Sequence, residues 1–135
     1  MSKQRSRRIL QVVIGLLATA PLLTGLLGMT GVDNPIYSSH PLPDYVLLDS
    51  NLRYLNGFSV GIALTLYYMI PHIESHTILL RAICGIIFSG AVGRILSIVF
   101  LGLPPFPMPV FVLIEIMAPL ILVVWQNNIR FSVKD

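Results

Sequence analysis

Charge is what this sequence has least of. Of its 135 residues only 11% are Asp, Glu, Lys or Arg, and 55% are hydrophobic, whereas soluble domains carry about 25% charged residues. That balance excludes an ordinary soluble domain and indicates a membrane protein. Cysteine is almost missing as well. Cys84 alone excludes an internal disulfide and a cysteine-rich zinc site, says nothing about compartment, and reads as a small buried hydrophobe. The net charge of +3 does not make the chain a nucleic-acid binder, because its basic residues form no single patch. Lys3, Arg5, Arg7 and Arg8 crowd the N-terminus, where they act as a topology signal.

What is there, in place of charge, is a set of long apolar runs. MSKQRSRR, then ILQVVIGLL, then Ala18-Thr19-Ala20 has the three parts of a secretory signal peptide. Two features oppose cleavage: Pro21 would follow the cut, and the apolar run continues to Val32. From Ile9 to Val32 the chain has 24 residues without a formal charge, more than the ~20 that cross a ~30 Å hydrocarbon core. A retained first span over about 9–28 is expected. Residues 29–48 hold Pro35, Pro41, Pro43 and Asn34 and form the one long loop. Asp49 or Ser50 can cap the next helix, whose apolar stretch runs from Tyr54 to Ile70 before Pro71, giving a second span over 50–70.

A third span is expected over 77–102 and a fourth over 108–126, with a short polar tail. A rival division takes Arg94 and Glu115 as boundaries of one neutral span, but that interval holds Pro104, Pro105, Pro107 and Pro109, four prolines in six residues. They exclude a continuous helix, so LPPFPMP is a tight extended turn. Four crossings put both termini and the 71–76 loop on one side, together with Lys3, Arg5, Arg7, Arg8, Arg81, Arg130 and Lys134. The opposite loops, 29–48 and 103–107, contain no Lys or Arg. This positive-inside asymmetry places both ends in the cytoplasm. The expected fold is all-α, a single membrane domain over 1–135 built as an integral four-helix bundle.

Against that background the few intramembrane charges stand out. At ~1.5 Å per residue, Arg94 lies about 6 Å outward of its span's centre and Glu115 about 4 Å outward of its own. Arg53 lies above them, with Asp49 one turn before it on the same face and Asn56 three residues after it. These five residues are the expected polar cluster. A charge at mid-span costs about 2.5–3.5 kcal/mol on insertion scales, and pairing inside the bundle offsets much of that; the alternative is separate snorkelling of the arginines. Gly85, Ser89, Gly93 and Ser97 recur every fourth residue, and Gly57 and Gly61 make a GxxxG step, so these small residues are the expected helix contacts. Pro21 and Pro119 are expected to kink spans one and four.

Reaction chemistry is thin. His72-Ile-Glu74-Ser-His76 spaces two histidines by four with a carboxylate between, the best metal candidate in the chain, but it is not HExxH and Pro71 precedes it. It reads as a polar turn, and no cofactor is implied. His40, among the loop prolines, reads as solvated. Glu115 is the lone intramembrane acid, and a protonated arginine is no general base, so catalysis is the weakest class. The order Arg53 and Gly57, then Gly93-Arg94 with Ser97 and Gly102-x-Pro104, then a lone Glu115 resembles the bacterial membrane proteins of domain of unknown function family 4345, from about Leu10 to Gln126. That resemblance implies a compact four-helix protein of the bacterial inner membrane and carries no activity. The first functional reading is a noncatalytic accessory or assembly component, partnered by membrane lipids and by a second copy or a larger complex. The second is a binder or carrier of a small polar or amphiphilic ligand (lipid, quinone or anion) at the charged cluster.

Overall fold

The computed structural model describes residues 3–131. Lys134 lies outside the described residues, while α4 continues past the expected end at 126 into the polar tail. Four long helices make up the chain, α1 Lys3–Gly28, α2 Val46–Met69, α3 Thr77–Leu101 and α4 Met108–Phe131, with no strand among the described residues. Three of them, over Gln4–Gly28, Thr77–Leu101 and Met108–Ile129, are long and apolar enough to cross a membrane. The fourth, α2, has the length but not the apolarity: Asp49, Ser50, Asn51, Arg53 and Asn56 all fall in its first half. Pro21 and Pro119 sit inside α1 and α4.

The chain divides into two compact units, one of Met1–Leu10 with His72–Asp135 and one of Gln11–Pro71. In the second unit, α2 begins a turn earlier than its capping residues suggest. Tyr45 occupies the cap without a side-chain hydrogen bond, because Asp49 is engaged elsewhere: its Oδ1 accepts the Val32 N–H at 3.0 Å. The 29–45 segment is tightened by two short 3-10 turns, Gly31–Asp33 and Pro35–Tyr37, the latter capped by Asn34, whose side chain accepts from the Ile36 N–H at 3.0 Å.

Close approach in this unit is made by α1 rather than by the expected Gly57–Gly61 step. A Cβ on Gly25 would lie 2.9 Å from the Asn56 carbonyl oxygen, and one on Gly28 would overlap the Asn56 side chain. Gly57 and Gly61 have open space where a Cβ would stand. The buried positions explain the difference. Ala63, Leu66 and Met69 are buried, and that stripe, followed back through α2, reaches Val60 and Asn56, whereas Gly61 is exposed. Gln11 Nε2 donates to the Ile70 carbonyl at 2.7 Å and the Thr19 hydroxyl meets that of Tyr67 at 2.9 Å.

The other unit is dominated by the packing of α3 on α4. On α3, Leu80, Ile83, Cys84 and Ala91 are buried, and on α4, Val112, Leu122, Gln126 and Ile129. Their spacings of three, four, seven and ten residues are close to whole helical turns and draw one seam down each helix. Gly102, with φ +95°, stops α3 in a backbone conformation that a side chain resists. The connection then closes in a turn at 106–107, where the Met108 N–H donates to the Pro105 carbonyl at 3.1 Å, and α4 starts at Met108.

Candidate functional site

Both intramembrane charges sit on the α3–α4 seam. Arg94 follows Ala91 by three residues and precedes the half-buried Ile98 by four, while Glu115 follows the buried Val112 by three and precedes Pro119, also buried, by four. A seam position points a side chain at the neighbouring helix, and the two meet: Arg94 Nε lies 2.9 Å from Glu115 Oε2. The contact is a close charge pair rather than an aligned hydrogen bond, since Oε2 is buried and no N–H is directed at it. The pair is also lopsided in exposure, with 47% of the Arg94 side chain and 27% of the Glu115 side chain open. Beside it lies a hollow of about 110 Å³ lined by Arg94, Ser97, Ile98, Pro104, Met108 and Val112.

Asp49, Arg53 and Asn56 are used differently. Within its own unit Arg53 donates from Nε to Asp49 Oδ2 at 2.7 Å and from Nη2 to Asp49 Oδ1 at 3.1 Å. Its remaining donors reach the carbonyls of Met29 at 2.8 Å and Thr30 at 3.0 Å. These carbonyls follow the C-terminal end of α1, where a helix leaves backbone acceptors unpaired. Asp49 and Arg53 therefore staple the exit of α1 to the first turns of α2. Asn56 donates to the Leu52 carbonyl at 2.7 Å and packs against Gly28. Within one unit the structure pairs Arg94 with Glu115 between α3 and α4, and within the other it gathers Asp49, Arg53 and Asn56 around the α1 exit.

Four contacts at the other end of α3 and α4 escape the sequence. Arg7 Nη2 lies 3.1 Å from Glu74 Oε1, Trp125 Nε1 donates to Ser6 Oγ at 2.9 Å, the buried Gln126 donates to the Ile73 carbonyl at 2.5 Å, and Arg81 donates to Asn127 at 2.8 Å. Charge on Arg7 and Glu74 was the one available signal, and across a separation of 67 residues it names no partner. Glu74 is thereby drawn to Arg7, while the rings of His72 and His76 meet edge to face with centroids 6.5 Å apart. No group of three or more His, Cys, Asp or Glu converges on a metal position among the described residues.

Fold and site together define a class: an all-α membrane protein, three of whose helices are suited to crossing a bilayer, with an Arg–Glu pair between two of them. Residues 9–126 match the family described as Domain of unknown function (DUF4345). The chain belongs to that family. No curated protein and no solved structure matches it.

Proposed function

We propose that this chain is a noncatalytic accessory or assembly component of the bacterial inner membrane, a four-span protein with both termini in the cytoplasm, working through helix contacts in a homo-oligomer or a larger membrane complex. The observation that carries this reading is the outward side of α3. Gly85, Ser89 and Gly93 are exposed there, and a Cβ on either glycine would meet nothing within 4 Å. In a bilayer, small residues that let a second helix backbone come close are association surfaces. The Arg94–Glu115 pair fixes the register of α3 on α4 and so holds that side outward. Retention of α1 is supported by Leu10, Ile14 and Ala18, all fully buried, which a cut after Ala20 would remove.

The test is crosslinking in native membranes from a photoreactive residue at position 89. A band above the 14.9 kDa monomer is expected, and Gly85→Leu with Gly93→Leu should abolish it without lowering the melting temperature, since a Cβ at either site meets nothing within 4 Å among the described residues. A monomer band alone, or a larger band indifferent to the two leucines, overturns the reading.

A second reading, a binder of an amphiphilic ligand, is favoured by one specific observation. The Nη groups of Arg94 bond nothing among the described residues, and the hollow of about 110 Å³ opens beside them.

A further inference from the structure

The Arg94–Glu115 pair is incomplete on both sides. Arg94 Nε lies 2.9 Å from Glu115 Oε2 without an aligned hydrogen bond, and its four Nη–H donors have no acceptor among the described residues. Glu115 Oε2 is buried and accepts no hydrogen bond, and Oε1 accepts none among the described residues. Ser97, three residues on from Arg94 and on the same helix face, is exposed, and its hydroxyl bonds nothing among the described residues. The hollow is lined by Arg94, Ser97, Ile98, Met108 and Val112, and by Pro104 in the α3–α4 connection. Arg94 and Ser97 are its polar lining, and the other four residues are apolar.

What fits such a site follows from its charge. Away from water an open guanidinium edge is costly, because no solvent satisfies its donors. A plain anion drawn to Arg94 meets the Glu115 carboxylate in the same contact, and an apolar molecule leaves every donor unmet. The complement is a group that accepts from Arg94 and donates to Glu115. Phosphate oxygens match the guanidinium fork, and an ammonium or hydroxyl beside the phosphate supplies the donor. A volume of about 110 Å³ takes three or four water-sized shares of ~30 Å³, so it seats part of a headgroup and leaves the acyl chains outside, where Val99, Phe100 and Leu113 are exposed.

We propose that this hollow binds the headgroup of a glycerophospholipid carrying a primary ammonium or a hydroxyl, phosphate on Arg94 and donor on Glu115. The proposal rests on the amphiphile-binding reading and names its ligand.

The experiment is native mass spectrometry of the full chain, delipidated in mild detergent and offered phosphatidylethanolamine, phosphatidylglycerol or phosphatidylcholine with identical acyl chains. The first two should be retained about tenfold better than phosphatidylcholine, the factor that one charged hydrogen bond supplies. Glu115→Gln should erase that preference and Arg94→Gln should release all three. Ser97→Leu, which narrows the hollow and keeps the ion pair, should also release them, and it decides the matter if Arg94→Gln does not fold. Equal retention of all three, lost in Ser97→Leu, overturns the headgroup assignment and leaves the amphiphile reading standing. An empty wild-type protein overturns both, and a thermal shift from inorganic phosphate equal to that from lipid assigns the site to free phosphate instead.

Discussion

Asp49 and Arg53 look like a surface ion pair and behave as a loop anchor. Four residues apart on a helix they face one another, which is plain in the sequence; that Arg53 also holds the Met29 and Thr30 carbonyls is not, since those partners lie 24 and 23 residues away. The Arg53 guanidinium, and then the Val32 amide, hold the Asp49 carboxyl below its ordinary value of 3.8. Because the folded group titrates below the unfolded one, its stabilisation is complete above that ordinary value and is lost as pH falls through the lower folded value. The protection factor of the Val32 amide, followed by hydrogen exchange from about pH 5 to about pH 2, should therefore fall with acid. In Asp49→Asn it should be low throughout and flat. Protection in the wild type that ignores acid would mean the carboxylate is not the anchor.

At the scale of the helices, existence and ends were legible and contact faces were not. Proline and glycine punctuation placed the second, third and fourth helices within a few residues of Val46–Met69, Thr77–Leu101 and Met108–Phe131, because those residues act on their own stretch of backbone. Which small-residue stripe meets a neighbour depends on a rotation about the helix axis that no local signal fixes, so the GxxxG spacing points to Gly57–Gly61 and passes over Gly25 and Gly28. Gly28→Ala should lower the melting temperature in detergent by forcing Asn56 aside. Gly61→Ala, with open space at its Cβ, should hold or raise it, alanine being favoured over glycine in a helix by about 0.5–1 kcal/mol. The reverse order would place the α1–α2 contact elsewhere.

The α3–α4 pair gives a sharper case, because a shared depth computed from span boundaries sufficed to bring Arg94 and Glu115 to one level. The cost of a buried ion falls hardest on whichever partner is left alone. Arg94→Leu or Glu115→Leu singly should destabilise the protein more than both changes together, measured as thermal unfolding in one detergent. Exchanging the charges, Arg94→Glu with Glu115→Arg, should recover part of the loss of either single exchange. A double variant no better than the singles would show that the two side chains do not depend on one another.

For the whole molecule, the decisive element is α2. Its second half, from Phe58 to Met69, is apolar apart from Ser59, Thr65 and two tyrosines, and its polar first half is engaged with the exit of α1. A crossing made by the part from Tyr54 to Ile70 keeps the Lys- and Arg-free connections on one face of the membrane and the basic N-terminal segment on the other, as the positive-inside bias requires. The chain offers a clean assay, since its lone cysteine, Cys84, is buried. In a Cys84→Ser background, Ser39→Cys should react with a membrane-impermeant maleimide on intact spheroplasts, and Ser75→Cys only after permeabilisation. Both sites labelled from the same side would mean that α2 does not cross and that three helices span the bilayer. Labelling of Ser75→Cys alone from outside would invert the topology, leaving Lys3, Arg5, Arg7 and Arg8 on the face that the charge bias forbids.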